Sequence, residues 1–253
     1  MTGERRNAIV TGASSGVGAA IAEAFGRLGW SVAIGARRVE RLEETARAVE
    51  AAGGRAVLTH LDVTRADSIE EFFATAEGTL GPIDVVVNNA GIGVPGRIHE
   101  LSINEIENEL ATNLLGSMLI TRRALPSMIE RRRGDVLFIS SMNAVSPRPF
   151  QAGYTAAKAG VEGFAAALRM DLEGTGVRAI TLRLGPTRSE FGYGWNSETM
   201  VRVLESWERW GFLRHHDMLD GAQVAHAVVA AVTSPRGMQL DVVQLNPEAP
   251  IVE

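Results

Sequence analysis

Short runs of apolar, mostly β-branched residues alternate with longer stretches of helical periodicity along the chain. This alternation is typical of β-α-β units, which pair their strands in a parallel sheet. The predicted strands are Asn7–Thr11, Ser31–Gly35, Arg55–His60, Ile83–Asn88, Asp135–Ser140, Val177–Leu184 and Gln239–Leu245. The predicted helices are Gly16–Leu28, Glu40–Ala52, Ser68–Glu77, Asn104–Arg132, Gly153–Glu173 and Gly221–Val232. The pattern therefore predicts an α/β fold with a seven-stranded parallel sheet flanked by helices.

No internal repeat or linker divides the 253 residues, so a single domain over residues 1–253 is predicted. One segment, from Pro186 to Asp220, lacks a clean period although it is rich in aromatic residues. These residues are Phe191, Tyr193, Trp195, Trp207, Trp210 and Phe212. Because a long excursion inside an α/β domain is usually a lid or a binding loop, we expect a substrate loop at about 186–220. Packing of its aromatic residues against a neighbouring subunit is the alternative.

Composition excludes several classes of function. The chain has no cysteine, which excludes disulfides and thiolate chemistry and is compatible with a cytoplasmic location. A formal net charge of −5 provides no basis for binding nucleic acid or an anionic membrane. The polar start and the lack of a long apolar run predict neither a signal peptide nor a membrane span. The five histidines form no helical ligand pair with a carboxylate, so no metal site is expected.

A glycine-rich turn follows the first predicted strand and leads directly into a helical pattern. Its residues are Thr11, Gly12, Ala13, Ser14, Ser15, Gly16, Val17 and Gly18. Glycines at this spacing let the backbone turn tightly, approach a pyrophosphate and begin a helix whose free N–H groups favour an anion. The motif predicts dinucleotide binding by Gly12, Ser14, Ser15, Gly16, Val17 and Gly18. A plain strand-to-helix turn is the alternative.

The end of the second predicted strand indicates which dinucleotide is bound. An acidic residue there would accept the ribose hydroxyls of NAD, whereas a basic residue accepts the additional phosphate of NADP. This chain has Ala36 at the acidic position, followed by Arg37 and Arg38. Planar guanidinium groups suit a phosphate dianion, so NADP(H) is the predicted cofactor. Alternatively, both arginines are solvated residues ahead of a helix.

The chain contains 25 basic residues, of which only Lys158 is a lysine. Lys158 follows Tyr154 by four residues, so the two side chains share one helix face. A tyrosine is a poor base at neutral pH, but a nearby ammonium group favours the phenolate and would bring its pKa toward the working range. The pair predicts a group that donates and accepts protons. A surface tyrosine beside a helical lysine is the alternative.

With this pair, nearly the whole chain resembles the short-chain dehydrogenase/reductase family, in its compact single-domain branch with a doubly wound Rossmann fold. Besides the glycine turn, the motifs in order are Asp62-Val63, Asn88-Asn89-Ala90-Gly91, Asn113, Ser140-Ser141 and Tyr154-x-x-x-Lys158. The resemblance implies that Asp62 meets the adenine amino group and that Val63 packs on the adenine ring. It also places Asn88, Ala90 and Gly91 beside the adenosine ribose. From the residues alone, Asp62 could equally cap a turn.

The resemblance also implies a catalytic tetrad of Asn113, Ser141, Tyr154 and Lys158. Ser141 is selected over Ser140 because the family's serine lies 13 residues before the tyrosine. Ser141 would polarise the substrate oxygen, Tyr154 would transfer the proton, and Lys158 would also hold the nicotinamide ribose. Asn113 would secure a water that links Lys158 to solvent, although a buried structural amide is an equal alternative.

The loop after the sixth predicted strand departs from the family pattern. The family usually has Asn-Pro-Gly there, whereas this chain has Leu184 and Gly185 followed by Pro186. The resemblance still implies contacts from Gly185 and Thr187 to the nicotinamide carboxamide, with Ser189 as a hydroxyl partner. The long predicted helices resemble those that build dimers and tetramers in the family, so a homodimer or homotetramer is expected by analogy.

These features predict an NADP(H)-dependent oxidoreductase that acts on a small-molecule carbonyl or secondary alcohol, with a hydrophobic substrate. Hydride would pass to or from the nicotinamide while the substrate oxygen gains or loses a proton between two hydroxyl groups. The alternative is a non-catalytic NADP-sensing regulator on the same fold. A methyltransferase with a related glycine loop is disfavoured by the arginine pair and by the tyrosine-lysine spacing.

Overall fold

A computed structural model of the chain describes residues 5–192, 194–212 and 215–251, so Tyr193 of the predicted substrate loop lies outside the described residues. It contains a seven-stranded sheet whose strands all pair in parallel, in the order β3-β2-β1-β4-β5-β6-β7. The strands are β1 Asn7–Thr11, β2 Ser31–Ala36, β3 Arg55–His60, β4 Val85–Asn88, β5 Gly134–Ser141, β6 Val177–Leu184 and β7 Val242–Leu245. The predicted doubly wound α/β fold is confirmed.

Helices cover both faces of the sheet. They are α1 Gly16–Arg27, α2 Val39–Ala51, α3 Ala66–Leu80, α4 Ile103–Leu110, α5 Gly116–Glu130, α6 Ala152–Asp171, α7 Ser197–Arg209 and α8 Gly221–Val232. One core lies between the sheet and α1, α2 and α8, and the other lies between the sheet and α3, α5 and α6. In β1, Ala8 and Val10 belong to the first core and Ile9 to the second. Because both faces are buried, the strands are continuous apolar runs.

The strand order places the candidate site. The chain winds from β1 outward to β3 on one side and from β4 outward to β7 on the other, so the direction reverses between β1 and β4. Ligands of open α/β sheets bind in the crevice outside the carboxyl ends of the strands at such a reversal. Among the described residues, no helix has the length and apolar character needed to cross a bilayer.

The helix predicted over Asn104–Arg132 is not continuous. The structure divides it into α4, a π-helical turn at Ala111–Leu115 and α5. The turn contains Asn113, whose side-chain amide hydrogen-bonds the backbone of Ile92 in both directions. A π turn adds a single residue to the helix and leaves the apolar spacing on either side intact, so the sequence pattern did not reveal it.

The segment predicted to be irregular, 186–220, contains helix α7. Asn196 caps this helix by accepting a hydrogen bond from the backbone N–H of Thr199. Within α7, Val203 is buried while the other apolar side chains are at least partly exposed, so its apolar face is narrow. The base of the segment is closed by a bridge between Thr187 and Leu219. Aromatic residues on both sides of α7 obscured its helical period.

Two strands are shorter than predicted. β4 begins at Val85, one residue after Asp84. The Asp84 carboxylate accepts a hydrogen bond from the Asn7 backbone and pairs with Arg131. β7 begins at Val242, and the side chain of Gln239 donates to the backbone of Ala179 ahead of it. Both differences lie away from the carboxyl ends of the central strands.

Candidate active site

The glycine turn between β1 and α1 is shaped by two close backbone approaches. Gly12 has a φ of 66°, and a Cβ there would lie 2.8 Å from the Cα of Ala90. A Cβ on Gly18 would lie 2.5 Å from both the side-chain nitrogen of Asn89 and the carbonyl oxygen of Gly12. The turn therefore accepts only glycine at these positions, and it aims the N-terminus of α1 into the crevice, where an anion is favoured.

Asn89, which sequence reasoning left out of the site, holds this turn in place. Its Nδ2 donates to the carbonyl oxygens of Thr11 at 2.9 Å and Gly12 at 3.1 Å. In return, the Thr11 hydroxyl accepts from the backbone N–H groups of Asn89 and Ala90. These bonds fasten the end of β1 to the end of β4 across the reversal of the sheet. The sequence signal that could have indicated this role is the second asparagine of the motif Asn88 to Gly91.

Asn88 and Val63, both predicted to contact the adenosine part of a cofactor, have buried side chains. Asn88 Nδ2 donates to the Thr121 hydroxyl of α5 at 3.2 Å. Val63 packs against Gly116 at the start of α5, where a Cβ would lie 2.7 Å from its Cγ2. Both side chains therefore also serve the packing of α5.

Asp62 forms a local turn after β3. Its Oδ1 accepts from the Thr64 hydroxyl at 2.7 Å and from the Thr64 backbone at 3.0 Å. Burial acts to raise the pKa of Asp62, but these hydrogen bonds, together with the charge of nearby Arg37, hold it below its usual value. The residue that caps α3 is Arg65, so Asp62 supports a turn without being the helix cap. It is ionised at neutral pH and partly exposed at the rim of the crevice.

Arg38 reaches across the glycine turn. Its Nη2 lies 3.1 Å from the hydroxyl oxygen of Ser14 and 3.2 Å from that of Ser15, and it pairs with Glu190 at 3.0 Å. The cluster therefore brings Ser14 and Ser15 together with an arginine. Arg37, directly after β2, is exposed and lies on the side of Asp62.

Ser141 and Tyr154 meet at the carboxyl end of β5. The Ser141 hydroxyl is near enough to the phenol to act to lower the pKa of Tyr154, and Ser141 Oγ accepts from the Asn143 backbone at 3.2 Å. Ser140, one residue earlier, is buried and donates instead to Glu162 at 2.8 Å. Strand alternation sends the two serines to opposite faces, and Ser141 is the one that faces Tyr154.

Lys158 lies one helical turn beyond Tyr154 and is buried beneath it. Its Nζ donates to the Ile139 carbonyl at 2.8 Å and lies 5.6 Å from the centroid of the Tyr154 ring. Burial lowers the pKa of Lys158 to about 8. The expectation that the lysine brings the tyrosine toward neutrality fails in this structure, because burial raises the pKa of Tyr154 to about 12 against the hydrogen bond from Ser141.

Asn113 completes this group from the π turn below. Its Oδ1 accepts from the Ile92 backbone, its Nδ2 donates back to Ile92, and its carbonyl oxygen accepts from Ser117. Gly91 lies against both Asn113 and Lys158: a Cβ there would be 3.0 Å from Asn113 Oδ1 and 3.6 Å from Lys158 Nζ. The Asn113 amide therefore has a structural role, because it fixes the backbone at Ile92. Asn113, Ser141, Tyr154 and Lys158 lie around one end of the crevice.

The match to known proteins decides the family. A model of short chain dehydrogenases matches residues 6–199. The chain belongs to the short-chain dehydrogenase family. A short chain dehydrogenase of Pseudocercospora fijiensis is 40% identical over 191 residues, which are 74% of this chain and 61% of that protein. The aligned part thus spans less than two thirds of that relative's length.

Solved structures of other family members cover nearly the whole chain. The alcohol dehydrogenase of Thermococcus sibiricus, complexed with 5-hydroxy-NADP, is 30% identical with a TM-score of 0.82, and the alignment covers 97% of this chain and all of that one. Actinorhodin polyketide ketoreductase with NADPH is 28% identical with a TM-score of 0.86, and the alignment covers 95% of each chain.

Within this short-chain dehydrogenase, Glu109 is a buried acidic residue that sequence reasoning missed. Its Oε1 accepts from the Val94 backbone at 2.8 Å, and its Oε2 has no hydrogen-bond partner among the residues that the structure describes. Burial raises the pKa of Glu109. Gly153 leaves room for it, because a Cβ there would collide with the carboxyl oxygen. A glutamate on a polar helix carried no sequence signal for this position.

The loop after β6 is built on its own hydrogen bonds. Gly185 donates to the Leu245 carbonyl at 2.7 Å, and the Thr187 hydroxyl donates to the Gly185 carbonyl at 2.9 Å. Ser189 accepts from the Phe191 backbone and lies against Gly16 of the glycine turn. The loop therefore runs from the sheet across the entrance of the crevice.

The aromatic residues of the substrate loop divide between the site and the surface. The Phe191 ring lies 5.0 Å from that of Tyr154 and 5.7 Å from that of Trp195, measured between centroids. Trp195 donates from its indole nitrogen to the Gly93 carbonyl at 2.9 Å. Trp207 donates likewise to Pro149 at 3.1 Å, whereas Trp210 is 69% exposed. Phe191 and Trp195 therefore lie near Tyr154, while Trp210 lies at the surface.

Proposed function

We propose that this short-chain dehydrogenase is an NADP(H)-dependent oxidoreductase that interconverts a hydrophobic carbonyl compound and its secondary alcohol. The observation that carries the proposal is the meeting of Ser141 and Tyr154, with Lys158 beneath them, at the end of a crevice that begins at the glycine turn. A sensor of NADP would have no use for two converging hydroxyl groups and a buried lysine at that end.

The residues of the crevice fit the cofactor. Gly12 and Gly18 let the backbone of the turn pack closely on Ala90 and Asn89, which places the start of α1 where a pyrophosphate would bind. Arg38, Arg41 and Ser15 already hold an anion, the carboxylate of Glu190, so the donor set suits a phosphate. The NADP-complexed neighbours in the family support the same assignment.

In reduction, NADPH supplies a hydride to the carbonyl carbon of the substrate. The protein's part is to supply a proton and to stabilise the oxygen on which negative charge develops. The pKa of Tyr154, about 12, keeps the phenol protonated at neutral pH, so Tyr154 can donate its proton to that oxygen. Ser141 donates a second hydrogen bond to the same oxygen. Lys158, 5.6 Å from the ring centroid, stabilises the phenolate that remains until a proton from solvent restores it.

Phe191, Trp195 and Tyr154 present neighbouring aromatic faces at this end of the crevice. Apolar substrates gain free energy when such faces are removed from water, in proportion to the area buried. This supports a hydrophobic ketone rather than a charged or strongly hydrated carbonyl compound as the substrate.

Removal of the Tyr154 hydroxyl tests the function. Wild-type protein should oxidise NADPH in the presence of at least one member of a panel of hydrophobic ketones, and Tyr154→Phe should lower kcat by about 10²- to 10⁴-fold, the usual contribution of a positioned acid. NADPH affinity, measured by calorimetry, should be unchanged. A variant with the full rate contradicts the role of Tyr154. Tight NADPH binding without turnover on any substrate would instead favour the regulatory alternative.

A further inference from the structure

The Glu190 carboxylate lies in an anion site made by the glycine turn and the start of α2. Its Oε2 accepts from Arg38 at 3.0 Å and from Ser15 at 3.1 Å, and its Oε1 accepts from Arg41 at 2.6 Å. The hydrogen bond from Arg38 contributes most to holding the pKa of Glu190 below its usual value. Two guanidinium groups and a hydroxyl therefore converge on one carboxylate, and Arg41 was not among the predicted site residues.

The residues on either side of Glu190 occupy the rest of the crevice. Ser189 lies against Gly16, 3.5 Å from where a Cβ of that glycine would be. The Phe191 ring lies tilted against that of Tyr154, with 5.0 Å between centroids, and packs so closely on Gly93 that a Cβ on Gly93 would collide with it. A ligand extending from the glycine turn to Tyr154 meets all three residues of this segment, 189–191. The chain itself thus fills the path that a dinucleotide must take.

The contacts of Glu190 are of the kind that a stronger anion displaces. The side chains of Arg38, Arg41 and Glu190 are 46%, 48% and 33% exposed, so water and salt weaken both ion pairs. A phosphate group carries up to two negative charges and three acceptor oxygens where the carboxylate has one charge and two oxygens. Two guanidinium groups can therefore make more charge-assisted bonds to a phosphate than to Glu190.

We propose that Arg38 and Arg41 together bind the 2′-phosphate of NADP(H), and that Glu190 occupies this site as an intramolecular competitor until the phosphate displaces it. Arg41 is then a specificity-determining residue for the cofactor, in a place where the sequence had indicated Arg37. Displacement of Glu190 also frees Ser189 from the glycine turn, which couples cofactor binding to the entrance of the site. The inference rests on the proposed function, because that function supplies the 2′-phosphate.

Opposite effects of two substitutions in one ion pair test the proposal. Adenosine 2′,5′-bisphosphate is the probe, titrated by calorimetry into wild type, Arg41→Ala and Glu190→Gln, with adenosine 5′-diphosphate as the probe that lacks the 2′-phosphate. Arg41→Ala should weaken binding of the bisphosphate about tenfold, the effect of one charge-assisted hydrogen bond. Glu190→Gln should tighten it about threefold to fivefold, because the competing conformer is less populated. Arg47→Ala, an exposed arginine of α2 paired with Glu43, is the matched control and should change nothing.

The outcomes separate the inference from the proposed function. If Glu190→Gln leaves binding of the bisphosphate unchanged or weakens it, the competitor role is wrong, whatever the effect of Arg41→Ala. If Arg41→Ala binds the bisphosphate as wild type does while NADPH still supports ketone reduction, the inference fails and the function stands. If wild type binds neither the bisphosphate nor NADPH, the NADP assignment itself fails and the inference falls with it. Thermal melting of each variant shows whether it is folded.

Discussion

Among single residues, Lys158 shows how burial of a charged group opposes folding. Its ammonium group is buried, so the pKa falls from 10.5 in the unfolded chain to about 8 in the folded protein. The folded state therefore binds fewer protons than the unfolded state between these two values, and the free energy of unfolding rises with pH across that window. Below pH 8 the protein must bury a charge, which destabilises it.

Replacement of this lysine should stabilise the protein while it removes the activity. At pH 7 we expect Lys158→Met to raise the free energy of unfolding by about 2 kcal/mol, because it removes the cost of lowering the Lys158 pKa from 10.5 to about 8 and loses one hydrogen bond to Ile139. At pH 10 most of that gain should be gone, because the folded lysine is then neutral. Urea unfolding at both pH values measures it; a gain that is the same at both, or a loss at pH 7, contradicts the burial argument.

Some residues of the site could be predicted from the sequence and others could not. Tyr154 and Lys158 share a helix face because of their spacing of four residues, which is a local property, whereas Ser141 was selected through the family resemblance. Asn89, Glu109 and Arg41 act through partners far away in the chain, such as Thr11, Val94 and Glu190. No spacing within the sequence indicates such contacts, so they become visible only in the folded structure.

At the scale of elements, the distinction between local patterns and long-range contacts explains why some helices differ from those predicted. The sheet strands and the crossover helices have strong apolar periods and glycine stops, and their prediction is confirmed with small shifts at the ends. The π turn at Ala111–Leu115 is set by the tertiary contact of Asn113 with Ile92. Helix α7 has a single buried side chain, Val203, and its start depends on the cap at Asn196, a weaker signal than an apolar stripe.

The loop that contains α7 should control the ionisation of Tyr154. Phe191 covers the Tyr154 ring, and burial is what raises the pKa of this tyrosine to about 12. Phe191→Ala admits water to the phenol, which should lower the pKa. In a Tyr193→Phe background, where Tyr154 is the single tyrosine, the tyrosinate absorbance should appear at lower pH in Phe191→Ala than without it.

The control for this titration is Trp210→Ala, which removes an exposed aromatic residue from the same loop. It should leave the tyrosinate curve where it was. An unchanged curve in Phe191→Ala would mean that other groups bury Tyr154, and the loop would then not be its cover.

At the scale of the whole molecule, the fold places two groups of side chains at the carboxyl ends of the strands. The groups proposed to bind phosphate lie at the turn after β1 and the start of α2, and those proposed to transfer the proton lie on β5 and α6. The reversal of the sheet between β1 and β4 brings these ends together, and it follows from the order of β-α-β units that the sequence already indicated. Assembly into a dimer or tetramer stays a prediction by analogy with the family.

The central claim is that a hydride passes from NADPH to a carbonyl carbon while Tyr154 supplies the proton. NADPH dideuterated at nicotinamide C4 tests it, with a ketone that the wild type reduces and mass spectrometry of the product. Wild type should place one deuterium on the carbinol carbon, and Tyr154→Phe, although it binds the cofactor, should form almost no labelled alcohol. Alcohol without deuterium, or equal labelled product from Tyr154→Phe, would contradict the account.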